Sequence, residues 1–427
     1  MLMTSRWFWI ASQLTRRIWF RATLFSLMAI VTALVAIVIS PYIPEDLPTK
    51  IGADAVDNIL SILASSMLAV TTFSLSTMIS AYSAATTNVT PRATRLVMED
   101  TTTQNVLSTF VGSFLFSLVG IIVLSTGAYG DRGRVVLFAV TILVIVLIVV
   151  TLLRWIDHLS RLGRVTETTE RVESATSKAM RMRKRAPYLG GRELVDPNRD
   201  IPAAARPVYA STIGYVQHID VGGLSEIAES GKGRIYVAVL PGQFTTPADP
   251  IAWADTIEDE NQEKAIRGHF TIGDTRSFDQ DPRFGACVLS EIASRALSPG
   301  INDPGTAIDV IGRAVRVLAI WSGTTGDDAN ADPDEIPFPN VHVPGIAIDD
   351  LFDDLFTPIA RDGAPVIEVG LRLQKALHDL AQLGSDNCYV VNSKKHSQLA
   401  LQRAEQALSL EDDRSRLRAV AAKVAAL

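Results

Sequence analysis

Two sets of residues in this chain have the types and spacing to do chemistry. The first is a ladder of hydroxyls, Ser61, Ser65, Thr72, Ser76, Ser80 and Ser83, inside the run ILSILASSMLAVTTFSLSTMISAYSAATTNVT. At about 100° per residue, a helix places all six within one sector about 100° wide. On an otherwise apolar helix such hydroxyls have two uses. They let neighbouring helices approach and hydrogen-bond across the contact, or they face water and line a conduit. Ser65, Thr72, Ser76, Ser80 and Ser83 are the candidate pore-lining residues, with helix packing as the alternative. The second set is Asp274, Asp279, Asp281, Asn302 and Asp303, spread over GDTRSFDQDPRFG and SPGINDPGTA. Such oxygen ligands suit a divalent cation or a small ligand. Asp281-Pro282 and Asp303-Pro304 also read as helix N-caps followed by proline at the first helical position. Capping is therefore the alternative for the same residues. The spacing matches no calcium-loop pattern and specifies no metal.

A catalytic set is missing from the sequence. The histidines, His158, His218, His269, His342, His378 and His396, form no His-Glu-x-x-His motif and no helical pair. There is no Gly-x-Ser-x-Gly elbow and no Gly-x-Gly-x-x-Gly fingerprint. The segment Glu229-Ser230-Gly231-Lys232-Gly233 lacks the first glycine of a phosphate loop and the Ser or Thr after its lysine, so it reads as a hairpin turn. Cys287 and Cys388 are isolated and fit small buried thiols, not a disulfide or zinc framework. The expectation is a protein that is not an enzyme and carries no cofactor beyond a divalent cation at the acidic set.

The elements that must position these residues divide the chain sharply. Four uncharged apolar runs occupy 22–40, 59–82, 106–127 and 135–153. Each has about 20 residues, enough to span about 30 Å of hydrocarbon. Pro41 directly follows the first run and no small-residue cleavage pattern does, so that run reads as a retained span. Lys and Arg number 4, 2 and 9 in the N-terminal segment, the second loop and the segment after the last span, against 1 and 2 in the other two loops. The positive-inside rule then puts both termini in the cytoplasm of a bacterial inner membrane. Trp7, Trp9, Trp19 and Trp155 flank span ends, where their rings suit the interface. Ionisable groups are absent from the runs, which excludes the usual proton pump or ion-coupled transporter. Ser113 and Ser117 suit close helix contact in the third run, and the aliphatic fourth run suits lipid.

Residues 1–185 carry a net charge of +7 and residues 186–427 a net of −13. An acidic water-facing half excludes nucleic acid as a partner. Residues 156–207 read as a basic juxtamembrane helix and linker, with the cluster Arg181–Arg185 placed to meet anionic headgroups. Residues 208–256 read as a small β-rich unit, from STIGYVQHI, RIYVAVL and PIAWAD. Residues 257–427 read as a helical domain, with helices at about 348–361, 366–383, 394–409 and 411–425, interrupted by an acidic, Pro-rich surface loop at 323–347. The fold class is thus a membrane α-helical part of four transmembrane helices plus a cytoplasmic α+β domain. That domain has a small β-rich unit and a helical C-terminal region.

The order of these features is itself distinctive. A Ser/Thr-rich second span runs into AATTNVTPR, followed by GYVQHID, a PGQF turn, FDQDPRFG and RALSPGINDPGTA. Over roughly 15–410 the chain resembles a large bacterial family of predicted membrane proteins known as a domain of unknown function. The resemblance implies a bacterial inner-membrane protein of this architecture, and no catalytic residues. The function expected from the residues is a homo-oligomeric channel, because four spans need a symmetric ring to enclose a broad pore. Its partners are the lipid bilayer, further copies of itself, and an ion or small-molecule permeant. The alternative is a membrane-anchored sensor or scaffold whose cytoplasmic domain binds a partner or small ligand.

Overall fold

A computed structural model describes residues 15, 18–39, 53–126, 131–255, 259–322, 336–384 and 387–427. They form two compact units, one of apolar helices ending at Glu167 and one running from Thr168 to Leu427 together with Asn88–Ala93.

Helices α1 (Ile18–Ile39), α2 (Ala53–Asn88, all but its last residue), α3 (Pro91–Met98, from Thr94 on), α4 (Thr101–Ser125) and α5 (Asp131–Arg161) make up the first unit. Three stretches, Ala55–Thr87, Thr101–Ser125 and Arg134–Arg161, are long and apolar enough to cross a membrane. The first apolar run lies on α1, except for residue 40, which falls outside the described residues. Helix α2 has 36 residues, about 54 Å at 1.5 Å per residue. It stops before Thr90-Pro91, where proline disfavours helix in the preceding residue. Asp100 starts α4, its side chain accepting the Thr103 N–H at 2.9 Å. Ser113, Ser117 and Gly120 are buried, and a Cβ at Gly120 would lie 3.0 Å from Leu60. Helix α4 packs closely on α1, and such small residues suit close helix contact. Leu143, Val146, Val150 and Leu153 on α5 are exposed, as a lipid-facing helix requires. Trp155 departs from the interfacial expectation. It is 1% exposed, with its indole N–H donating to Ser74 Oγ at 2.9 Å, because a hydroxyl inside the bundle satisfies the ring. Trp19 is exposed, and Trp7 and Trp9 lie outside the described residues.

The second unit is α+β. Helix α6 (Val165–Arg185) leads into β1 (Gly191–Glu193) and a short turn of helix, α7 (Pro197–Asp200). The sheet region then follows as β2 (Arg206–Tyr209), β3 (Gly214–Ile219), α8 (Val221–Ser230), β4 (Ile235–Val237), β5 (Phe244–Thr245), β6 (Pro250–Ala254), α9 (Glu260–Gly268) and β7 (Phe270–Gly273). After α10 (Pro282–Ala296) and α11 (Pro304–Trp321), strand β8 (Phe338–Val343) returns to the sheet. Helices α12 (Ile348–Asp362), α13 (Ile367–Leu383), α14 (Asn387–Ala407) and α15 (Glu411–Ala425) complete it.

One sheet has the order β1-β8-β4-β6-β2 and the other β5-β3-β7. Strand β8 runs parallel to β1 and β4, while β4–β6 and β6–β2 are antiparallel. The two sheets therefore extend beyond 208–256. FPNVHV, read as part of a surface loop, and GRE, read as linker, are strands, because Val341 and Val343 are fully buried in the common core with Val216, Ile219, Ile235 and Ile251. The turn Gly231–Gly233 joins helix α8 to β4 and is no hairpin; Lys232 adopts φ 53° there. The basic cluster at the end of α6 also differs from expectation, since Arg183 is 2% exposed. Helices α10 and α11 bury Phe284, Val288, Leu289, Ile292, Ala307, Ile311, Ala314 and Leu318, the face that the apolar spacing marks.

Candidate functional site

Helix α2 presents its hydroxyl ladder outward. Ser65, Thr72, Ser76, Ser80 and Ser83 are all exposed in the unit. They occupy the middle of an exposed arc, with Leu68, Leu75 and Ile79 along one edge and Ile62 and Phe73 along the other. Three of the hydroxyls bond back to their own helix: Ser65 to Ser61 O at 2.9 Å, Thr72 to Leu68 O at 2.9 Å and Ser80 to Ser76 O at 3.1 Å. Such back-bonding makes the ladder tolerable against another helix as well as against water.

The acidic set does not assemble as one ligand shell. Asp303 caps α11, its carboxylate accepting the Thr306 N–H at 3.0 Å and the Thr306 hydroxyl at 2.6 Å. These bonds hold its carboxyl below the usual carboxylate range. Asp281 caps α10 through the Phe284 N–H at 3.0 Å. Asp279 accepts from the Ser277 hydroxyl at 3.1 Å. Asp274 and Asn302 are exposed, and Asn302 turns the chain at φ 50°. Among the described residues, no three His, Cys, Asp or Glu side chains lie together as a metal set.

What the structure gathers instead is a cleft of about 130 Å³ around Asp281. Its wall comes from the PGQ turn (Pro241, Gly242, Gln243), from Arg276, Gln280 and Arg283 beside the QDPR segment, and from Arg183. Gly242 has φ 94°, and a Cβ there would fall 2.0 Å from Asp281 Oδ2. Only glycine lets the turn come down onto the carboxylate. Gln280 is anchored to β3, accepting the Ile219 N–H at 2.9 Å.

Charge in the cleft is unevenly paired. Arg276 holds Asp281 with two bonds, Nε to Oδ2 at 2.8 Å and Nη2 to Oδ1 at 3.0 Å, and lies 5.2 Å from the Phe284 ring centroid. Burial pushes the Asp281 carboxyl above the ordinary range, against the pull of Arg276 and the Phe284 N–H. Burial also opposes the Arg276 charge, yet Asp281 raises that guanidinium above its usual value. Both carboxylate oxygens of Asp281 already accept N–H bonds. Arg283 donates from Nε to Asp354 Oδ2 at 2.7 Å and from Nη1 to Asp350. Arg183 donates only from Nη2, to Pro344 O at 3.2 Å, while its Nε and Nη1 are buried without a partner. Burial lowers it to about 10, so it stays a cation at neutral pH.

Of the sequence candidates, then, only Asp281 belongs to this cleft. Its neighbours Arg183, Gly242, Arg276 and Arg283 were missed, although PGQF and FDQDPRFG stood out as segments. No solved structure matches the chain. An uncharacterised protein of Mycobacterium bovis and one of Mycobacterium tuberculosis are each 32% identical to it over 139 residues, which is 31% of this chain and 26% of the relative. The match thus spans about a quarter of the length of these relatives. The family model described as predicted membrane protein DUF2254 matches residues 15–379, and the chain belongs to that family.

Proposed function

We propose that the protein is a four-span bacterial inner-membrane protein with both termini in the cytoplasm, assembled as a homo-oligomeric channel. The observation that carries this reading is the outer face of α2, a central line of Ser65, Thr72, Ser76, Ser80 and Ser83 between two apolar edges. In a ring of copies the hydroxyl line would look onto the axis and the edges would meet neighbouring helices. The exposed face of α5 lacks such a line and suits lipid. Reconstituted protein should pass unitary currents in planar bilayers, altered by Ser76→Leu or Ser80→Leu. Silent bilayers containing correctly assembled protein would sink the reading.

A second reading, a membrane-anchored sensor without transport, is favoured by the arginine-lined cleft. Back-bonding of Ser65, Thr72 and Ser80 also allows the ladder to be buried between copies. Under this reading, Ser76→Leu changes the oligomer size in detergent and no current accompanies any assembly.

A further inference from the structure

The cleft beneath the PGQ turn has chemistry of its own, whether or not the membrane helices conduct. Its decisive feature is Arg183. A cation that is 2% exposed normally has its donors met. Here Nε and Nη1, which point to opposite sides of the guanidinium, have no acceptor. The nearby carboxylate charge cannot fill that role, because Asp281 is already gripped by Arg276 and by the α10 N-terminus. Arg283 is likewise committed to Asp350 and Asp354. Three guanidiniums thus line a space that contains one carboxylate. A metal ion would be repelled. An oxyanion would find a buried guanidinium with unfilled N–H groups and no carboxylate of its own.

Size and access agree. The space of about 130 Å³ holds several waters or one phosphate-sized group. Gly242 brings the turn against Asp281.

We propose that this cleft binds a compact oxyanion of the phosphate type, free or as the end group of a small molecule, with Arg183 donating to one of its oxygens from Nε or Nη1. Arg276 and Arg283 stay on their own carboxylates, and the charge without a carboxylate bond is that of Arg183. No bond is made or broken.

The test uses the full chain purified in detergent. Inorganic phosphate and sulfate are titrated calorimetrically, with chloride at matched ionic strength as the control. Wild type should show saturable binding of phosphate or sulfate. Arg183→Met should weaken it about tenfold or more, and Arg183→Lys, which keeps the charge without the planar guanidinium, should fall between. Without ligand, Arg183→Met should be at least as heat-stable as wild type, since an unsatisfied buried cation has been removed. A merely structural arginine would make that variant less stable. If Arg183→Met fails to fold, hydrogen exchange on wild type decides. Phosphate must slow exchange at 240–243 and 276–284. Absence of saturable binding, unchanged affinity in Arg183→Met, or phosphate protection confined to other segments would overturn the proposal.

Discussion

Asp281 holds the cleft together, and replacing it separates two of its jobs. The side chain is 2% exposed, caps α10 through the Phe284 N–H and holds Arg276 with two bonds. Loss of an N-cap costs about 1 kcal/mol. Breaking a fully buried ion pair by removing one partner costs about 3–5 kcal/mol. Arg276 keeps 22% of its side-chain exposure, so water recovers part of its charge and about 2 kcal/mol is the better figure. Asp281→Ala should therefore destabilise the α+β unit by about 3 kcal/mol, or about 6–12 °C in Tm for a unit of this size. Asp281→Asn keeps a capping oxygen and should cost about 2 kcal/mol. Thermal unfolding in detergent, with hydrogen exchange along Pro282–Ala296, reads the α+β unit separately from the apolar helices. Arg276→Met combined with Asp281→Asn should be less damaging than Asp281→Asn alone, since no orphaned cation remains. If Asp281→Asn costs nothing, or the double variant is worse than the two single variants combined, the reasoning fails. The oxyanion proposal adds a further outcome: freeing Arg276 should enlarge the Tm gain from phosphate beyond that of wild type.

Ser74→Ala should destabilise the apolar-helix unit by about 1–3 kcal/mol, because the buried Trp155 N–H loses its acceptor; Ser74→Thr should hold nearer to wild type, and equal Tm values for all three would refute the assignment. Gly285→Ala should cost about 1–3 kcal/mol in the α+β unit, since the new methyl would come 2.0 Å from Thr176 Oγ1 on α6. Thr176→Ala should relieve this only in part, because Thr176 Cβ is itself 2.7 Å from the same point; an unchanged urea midpoint in Gly285→Ala would show that the helices do not meet there. His396 is 2% exposed, and burial lowers its pKa below the usual value. Its neutral form stabilises the fold above about pH 6.5, and the benefit declines as pH falls from there toward the folded pKa, with a slope of at most about 1.4 kcal/mol per pH unit. His396→Phe should flatten that acid-side decline in urea titrations, and an identical slope would place the effect elsewhere.

Several features could be read directly from residue order. Apolar runs free of charge mark the membrane-type helices, because a helix that crosses hydrocarbon must be predominantly apolar over about 20 residues. Helices α10 and α11 follow from Asp-Pro starts and a 3.6-residue apolar spacing. Helices α12, α13 and α15 come where that periodicity puts them, whereas α14 begins at Asn387, well before the expected 394. Sheet membership was less legible. FPNVHV sits in an acidic, Pro-rich context and looks like loop, yet it inserts between β1 and β4. A short buried strand carries little local signal, because its pairing partners lie about a hundred residues or more away in sequence. Arg183 was misread for a related reason. Within MRMRKR it looks like one more surface charge, and only the approach of Pro344 and the QDPR segment buries it.

By itself, then, the sequence determined which stretches avoid water, which residues begin helices and where the hydroxyls fall along α2. These depend on side-chain chemistry and on a fixed helical period. Only the tertiary structure decided that Asp281 would answer to Arg276 and that Arg183 would be sealed beside it with two N–H groups idle. Those outcomes depend on which distant segments share one space. A linear chain does not contain that proximity until its core has closed.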